Sequence, residues 1–253
     1  MNSLPDNFSC EYYDKDYFVT INGKRFKKSD GTEGGWGYSN TTGEWLGCGP
    51  IAAAWKEIFD PKNALDIGCG RGTFTAYLRD AGIDAVGFDF SDFSIGDPYT
   101  RCNRDWLRKL DATIVPWIEY KDKEFDLVLA LDLFEHLYND GDIDKVIDEM
   151  YRVTKKWIFL QIATVGGGSG AGIHDGRYML KKGEKVPIEL EGCVVAGHVT
   201  VCTKAFWIDK LINGDKNKEF RFRDDLVDKF IKNVDPAIID NWIKNTLLIL
   251  ERK

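Results

Sequence analysis

Hydrophobic and polar positions follow two alternating habits along the chain. Ala64-Leu65-Asp66-Ile67, Asp84-Ala85-Val86-Gly87-Phe88-Asp89, Phe125-Asp126-Leu127-Val128-Leu129-Ala130-Leu131 and Trp157-Ile158-Phe159-Leu160-Gln161-Ile162-Ala163 are short, nearly continuous apolar runs. Runs of this length with few polar breaks predict strands buried on both faces, as in a parallel sheet. Amphipathic segments stand between them. Thr73 to Leu78 begins a helix that Ala81-Gly82 ends, and Ile143, Val146, Ile147 and Met150 fall at helical spacing between Ile143 and Val153. Strands alternating with helices predict an α/β, doubly wound, mostly parallel sheet.

The flanks read less regularly. Tyr17 to Ile21 followed by Asn22-Gly23 predicts a short strand and turn, and glycine-rich Asp30 to Gly49 predicts an ordered loop. Pro50 to Phe59 predicts a helix with Pro50 in its first turn, closed by Asp60-Pro61. Asp92 to Gly96 reads as a helical turn, and Trp117 to Tyr120 with Lys121 to Glu124 as a charged surface loop. Glu184 to Leu190 reads as an extra strand, and Thr203 as the cap of a helix from Lys204 to Leu211. Lys218 to Arg223 reads as a sixth strand and Thr246 to Leu250 as the last. Short helices around Leu226–Ile231 and Ile238–Ile243 lie between them.

The 253 residues, 43% hydrophobic and 30% charged, predict one globular domain, 1–253. Residues 1–60 form an N-terminal extension and 166–198 an insertion after the fifth strand. No run approaches a membrane span, and the first residues lack a secretory pattern. The six cysteines are scattered without a C-x-x-C pair, so no disulfide framework is expected and a reducing cytoplasm is the default. Cys193, His198 and Cys202 lack an evident fourth ligand, and no metal is expected. The net charge of −7 turns the reading away from nucleic acid and toward a small molecule. The glycine-rich loop Gly166 to Gly172 lacks a following Gly-Lys-Ser/Thr and reads as a mobile segment beside the acceptor pocket.

The chemistry concentrates after the first strand, at Asp66-Ile67-Gly68-Cys69-Gly70-Arg71-Gly72. Glycines between a strand and a helix start let backbone approach a ligand, and the helix start offers N–H groups. Their G-x-G-x-G spacing differs from the dinucleotide fingerprint, and Asp66 two residues ahead suits a cationic ligand better than a pyrophosphate. Asp89 ends the second strand 17 residues past Gly72, where a carboxylate can accept two hydrogen bonds from a ribose diol.

This heptapeptide resembles motif I, D-x-G-C-G-x-G, of the class I S-adenosylmethionine-dependent methyltransferases. Asp132-Leu133-Phe134-Glu135-His136-Leu137 resembles the D-x-x-E-H-L segment that follows the fourth strand of small-molecule members. The resemblance is good over about residues 60 to 165. It implies the strand order 3-2-1-4-5-7-6 with the seventh antiparallel, S-adenosylmethionine as cofactor and S-adenosylhomocysteine as product. It implies cofactor contacts by Asp66, Gly68, Cys69, Gly70, Gly72, Asp89, Phe90, Asp111, Ala112, Leu131 and Asp132, with Asp111 meeting the adenine amino group. The expected partner is a small-molecule or peptidyl acceptor, with neither nucleic acid nor membrane expected. His136, His174 and His198 are the candidate bases. A nicotinamide-dependent oxidoreductase and a non-catalytic binding module are the alternatives. The glycine spacing and Asp132 to Leu137 speak against the first, and the intact cofactor positions against the second.

Overall fold

The apolar run Phe125–Leu131 lies in the middle of a seven-stranded sheet, covered on both faces, as a strand without a polar face must be. The computed structural model describes residues 2–5, 7–19, 25–27, 29–35, 47–165, 178–194, 196–213, 219–234 and 246–253. In chain order, β1 (Asn2–Ser3), α1 (Lys15–Val19), β2 (Arg25–Lys27) and β3 (Glu33–Gly35) precede α2 (Cys48–Phe59). Then come β4 (Asn63–Ile67), α3 (Thr73–Asp80), β5 (Asp84–Asp89), α4 (Asp92–Gly96), β6 (Leu107–Lys109), β7 (Phe125–Leu131), α5 (Asp142–Val153) and β8 (Thr154–Gln161). The chain continues through β9 (Tyr178–Met179), α6 (Glu191–Val194), β10 (Thr200–Val201), α7 (Lys204–Ile212), β11 (Phe220–Phe222), α8 (Asp224–Asn233) and β12 (Leu247–Arg252).

The large sheet runs β11-β12-β8-β7-β4-β5-β6. Counting only its own strands, that is 3-2-1-4-5-7-6 from the other edge, with β12 antiparallel to both neighbours and β4 to β8 mutually parallel. The order implied by the motif resemblance is therefore borne out. Side chains along β7 alternate between faces. Val128 and Ala130 pack with Ile143, Val146, Ile147 and Met150 of α5, while Leu127 and Leu129 pack with Trp55 of α2, Leu78 of α3 and Phe230 of α8. Strand order reverses at β4, between β5 and β7, and a crevice opens beyond the carboxyl ends of these strands.

Four expectations on the flanks are corrected. Residues 15–19 form a helix instead of a strand, started by Asp14 Oδ1 accepting the Tyr17 N–H at 3.1 Å. That turn sets Tyr13, Tyr17 and Phe18 edge to face. Within Asp30 to Gly49, Glu33–Gly35 pairs with Arg25–Lys27, and the helix begins at Cys48, ahead of Pro50. Trp117 and Tyr120 are buried against Phe88, the Trp117 indole donating to Ala112 O at 3.0 Å; Ile118, Glu119 and Lys121 to Lys123 take the exposed positions expected of that loop. No strand forms over Glu184 to Leu190: Pro187 brings no N–H for a ladder, and a single turn at Ile188–Leu190 runs into α6. The extra pairing is instead β9 with β10. Asn22-Gly23, Gly166 to Gly172 and the helix expected near Ile238 lie outside the described residues.

Candidate functional site

The turn after β4 is built by backbone bonds that cross to β5. Gly68 N–H and Cys69 N–H both donate to Phe88 O, at 2.9 and 3.0 Å. The chain can then bring Gly70 N–H onto Asp89 Oδ2 at 2.9 Å, while Ser91 N–H reaches Asp89 Oδ1 at 2.8 Å. Both carboxylate oxygens are thus aimed by backbone, with lone pairs left over. Gly70 has φ +53°, and a Cβ there would stand in the crevice, 3.8 Å from Phe18 Cε1. A side chain at this position would carry backbone strain and also occupy ligand space. Asp66, buried below the turn, accepts the Thr75 hydroxyl at 3.0 Å.

Burial pushes the Asp66 carboxyl up to about 7, the nearby Asp89 adding to the effect, and Asp89 itself up to about 6. Across the crevice, burial raises Asp132 to about 6 and Glu135 well above the carboxylate range, the Asp132 charge adding to the latter. The crevice is a cavity of about 560 Å³, a size suited to a cofactor. Among the sequence candidates, Asp66, Gly68, Cys69, Gly70, Asp89, Phe90, Asp111, Ala112, Leu131, Asp132 and His136 line it. Gly72 does not; it lies behind the turn against Cys102 and Leu107. Asp111 is fixed by its own turn, Oδ1 accepting Thr113 N–H at 2.9 Å and the Thr113 hydroxyl at 2.8 Å.

The opposite wall comes from distant segments. Phe8, Tyr13, Tyr17 and Phe18 face the cavity together with Leu133, Tyr138 and Lys182. Behind them Tyr178, Leu180, Leu190, Val194 and Val199 form a separate apolar cluster with the N-terminal aromatics. Tyr17 donates to Ala196 O at 3.1 Å, Phe8 N–H to the Tyr138 hydroxyl at 3.1 Å, and Ser91 Oγ to Tyr13 O at 2.5 Å.

His136 Nδ1 lies 3.0 Å from both Gly197 O and the Tyr13 hydroxyl. A carbonyl oxygen can only accept, so Nδ1 carries the proton and Nε2 the lone pair. A Cβ on Gly197 would come within 2.9 Å of that nitrogen, so the close approach requires glycine. Burial lowers His136 to about 4 and holds His198 well below its ordinary value, so both rings are neutral at pH 7. His198 is buried 5.0 Å, ring to ring, from His136 and does not line the cavity. His174 lies outside the described residues. Tyr13, Tyr138 and Gly197 were not singled out as site residues in the sequence; only the density of N-terminal aromatics hinted at the first.

Residues 65–157, from the first strand through the start of β8, match the family described as "Methyltransferase domain". The ubiquinone biosynthesis O-methyltransferase of Methylococcus capsulatus is 32% identical over 86 residues, covering 32% of this chain and 35% of that enzyme. The norajmaline N-methyltransferase of Rauvolfia serpentina is 36% identical over 100 residues, covering 37% of this chain and 32% of that enzyme. The chain spans about a third of the length of these curated relatives. Among solved structures, the plantazolicin methyltransferase BamL, in complex with a triazolic desmethylPZN analog and S-adenosylhomocysteine, superposes with a TM-score of 0.50. It shares 14% identity over 80% of this chain and 82% of that one. A chain from the Haloferax volcanii complex of the Trm112 methyltransferase activator with a methyltransferase also gives 0.50, at 15% identity over 79% and 88%. At these identities the likeness is one of fold.

Proposed function

We propose, from the premise that residues 65–157 are a class I methyltransferase domain, that the protein transfers the methyl group of S-adenosylmethionine to a small-molecule or peptidyl acceptor. The observation that carries this reading is the Asp89 carboxylate, aimed by Gly70 and Ser91 N–H into a cavity that Asp66 and Asp132 also line. Carboxyls whose burial resists ionisation fit a ligand that brings positive charge and hydroxyl donors. A sulfonium nucleoside brings both, whereas a dinucleotide pyrophosphate would meet three acids.

When bound, the cofactor supplies a methyl already electrophilic at sulfur. The chain has then to bind, align and exclude water. Asp89 accepts the ribose hydroxyls, the turn from Gly68 to Gly70 gives way to the rest of the molecule, and Asp111 with Ala112 takes the adenine edge. Tyr13, Tyr17, Phe18 and Phe90 close the acceptor side against water, backed by Tyr178, Leu180 and Val194. His136 aligns better than it deprotonates, because a ring pushed down to about 4 is a weak base at neutral pH. Among the described residues no disulfide joins the five cysteines whose side chains are described. Among the described residues no helix is long and apolar enough to cross a membrane.

Calorimetry with S-adenosylmethionine, S-adenosylhomocysteine and NADH tests the cofactor, and tritiated-methyl transfer into size-fractionated extracts tests the acceptor. Tight binding of the first two and labelling of a low-mass or peptide fraction are expected. Binding of NADH instead, or of none of the three, overturns the reading.

A further inference from the structure

At the acceptor wall lies a group of donors of which the methyl transfer proposed above uses only His136. Glu135, His136 and His198 each offer one ligand atom, and these atoms lie within 4.8 Å of one another. Donors bound to one ion at about 2.1 Å sit roughly 3–4 Å apart, so small side-chain rotations would bring the three together. Glu135 is 0% exposed; its Oε1 accepts Ala163 N–H at 3.1 Å, and its Oε2 meets no N–H or hydroxyl donor among the described residues, the Asp132 carboxyl being the side-chain partner of this carboxyl. A wholly buried carboxyl oxygen that meets only another carboxyl is costly to ionise, and a cation among these ligands relieves it.

The two rings are prepared for the same task. His136 Nδ1–H is committed to Gly197 O, the arrangement that commonly orients an imidazole to bind metal through Nε2. The segment carrying His198 is pinned to the one carrying Glu135 and His136. Val199 N–H donates to Glu135 O at 2.8 Å, and the Thr200 hydroxyl donates to Leu137 O at 2.6 Å.

We propose that Glu135, His136 and His198 bind a divalent first-row transition-metal ion at the wall of the cavity. Two imidazoles with one carboxylate suit manganese, iron, cobalt or zinc better than magnesium or calcium, which prefer all-oxygen sites. Three protein donors on a five- or six-coordinate ion leave adjacent positions open. His136 and its neighbour Asp132 line the cavity, so those positions face the acceptor. The ligand class is therefore an acceptor bearing two neighbouring oxygens, a vicinal diol or catechol; this half of the proposal rests on the methyl-transfer reading. A hydroxyl on such an ion loses its proton more readily.

The test uses the full chain, stripped with a chelator and titrated with Mn²⁺ (electron paramagnetic resonance) and with Co²⁺ (visible absorption). One ion per chain is expected, with affinity lowered by roughly 10–100-fold or more in Glu135→Gln and His198→Gln. Circular dichroism and S-adenosylhomocysteine affinity of His198→Gln should match the parent. Saturable binding that survives both substitutions, or none of either ion by the folded parent protein, overturns the site. Catechol should shift the Co²⁺ spectrum of the parent; an unmoved spectrum overturns the acceptor half. Ion binding without S-adenosylhomocysteine binding would remove the methyl-transfer reading and leave the metal site standing, and the reverse result would do the opposite.

Discussion

The two walls of the cavity are built at different ranges along the chain. On the cofactor wall, bonded partners are near in sequence: Ser91 to Asp89, Thr75 to Asp66 and Gly70 to Asp89 span 2, 9 and 19 residues. On the acceptor wall, Tyr13 to His136, Phe8 to Tyr138 and Tyr17 to Ala196 span 123, 130 and 179. The first wall is fixed by backbone donors at the ends of central strands, so its shape follows from the sheet. The second is held by side chains on segments that pack over the sheet. It can change shape, and with it the acceptor, without disturbing the strands beneath.

That contrast can be broken experimentally. The largest effect is expected for Gly70→Val, which adds strain at φ +53° and a side chain inside the cavity. Cofactor affinity should fall by more than about 100-fold, because the side chain displaces the ligand itself, while the protein stays folded by circular dichroism. Unchanged calorimetric affinity would mean that the turn does not touch the cofactor.

Asp89→Asn should come next. An amide has one acceptor oxygen for two backbone donors, so either Gly70 or Ser91 N–H is left facing an NH₂ group. A loss of about 1–3 kcal/mol in cofactor binding is expected. Equal affinity in the two proteins would remove Asp89 from the ribose.

Acidity gives a smaller, graded test. Asp66 and Asp89 titrate at about 7 and about 6 in the folded protein, above the ordinary value, so without ligand the folded state holds more protons than the unfolded one. Stability of the free protein should therefore fall as pH rises from about 4 to about 7. A cationic ligand favours the ionised carboxyls, so S-adenosylmethionine affinity should rise over the upper part of that window with release of protons. Calorimetry in buffers of different ionisation enthalpy reads that release. Proton uptake, or affinity flat from pH 5 to 7, would contradict the carboxyl clamp.

Tyr13→Phe probes the other wall. It removes the hydroxyl beside His136 Nδ1 but leaves the Gly197 carbonyl to hold the ring. Methyl transfer should slow a fewfold with cofactor affinity within about twofold, reflecting one modest hydrogen bond. If cofactor affinity falls as much as turnover does, the two walls are one unit.

The same division explains what the sequence disclosed. Continuous apolar runs announce strands buried on two faces, and β4, β5, β7 and β8 lie close to where those runs place them. Strand order followed from motif resemblance, since periodicity alone does not say which strand pairs with which. The aromatic segment 12–18 was legible as something buried, yet hydrophobicity names no partner. The approach of Tyr13 to His136 and Gly197 depends on three segments meeting in space. Trp117 shows the same limit: charged neighbours suggested exposure, and an indole bond to Ala112 O decided burial.

The 179-residue span between Tyr17 and Ala196 also matters while the protein is being made. At roughly 5–20 residues per second, Tyr17 waits about 10–40 s on the ribosome before the carbonyl it binds is synthesised. The local turn bonds around Asp89 need no such interval. Through that wait, Phe8, Tyr12, Tyr13 and Tyr17 are exposed to chaperones, proteases and other nascent chains. A pause in translation between β7 and α6 lengthens the exposure of one wall and leaves the turn bonds of the other unaffected.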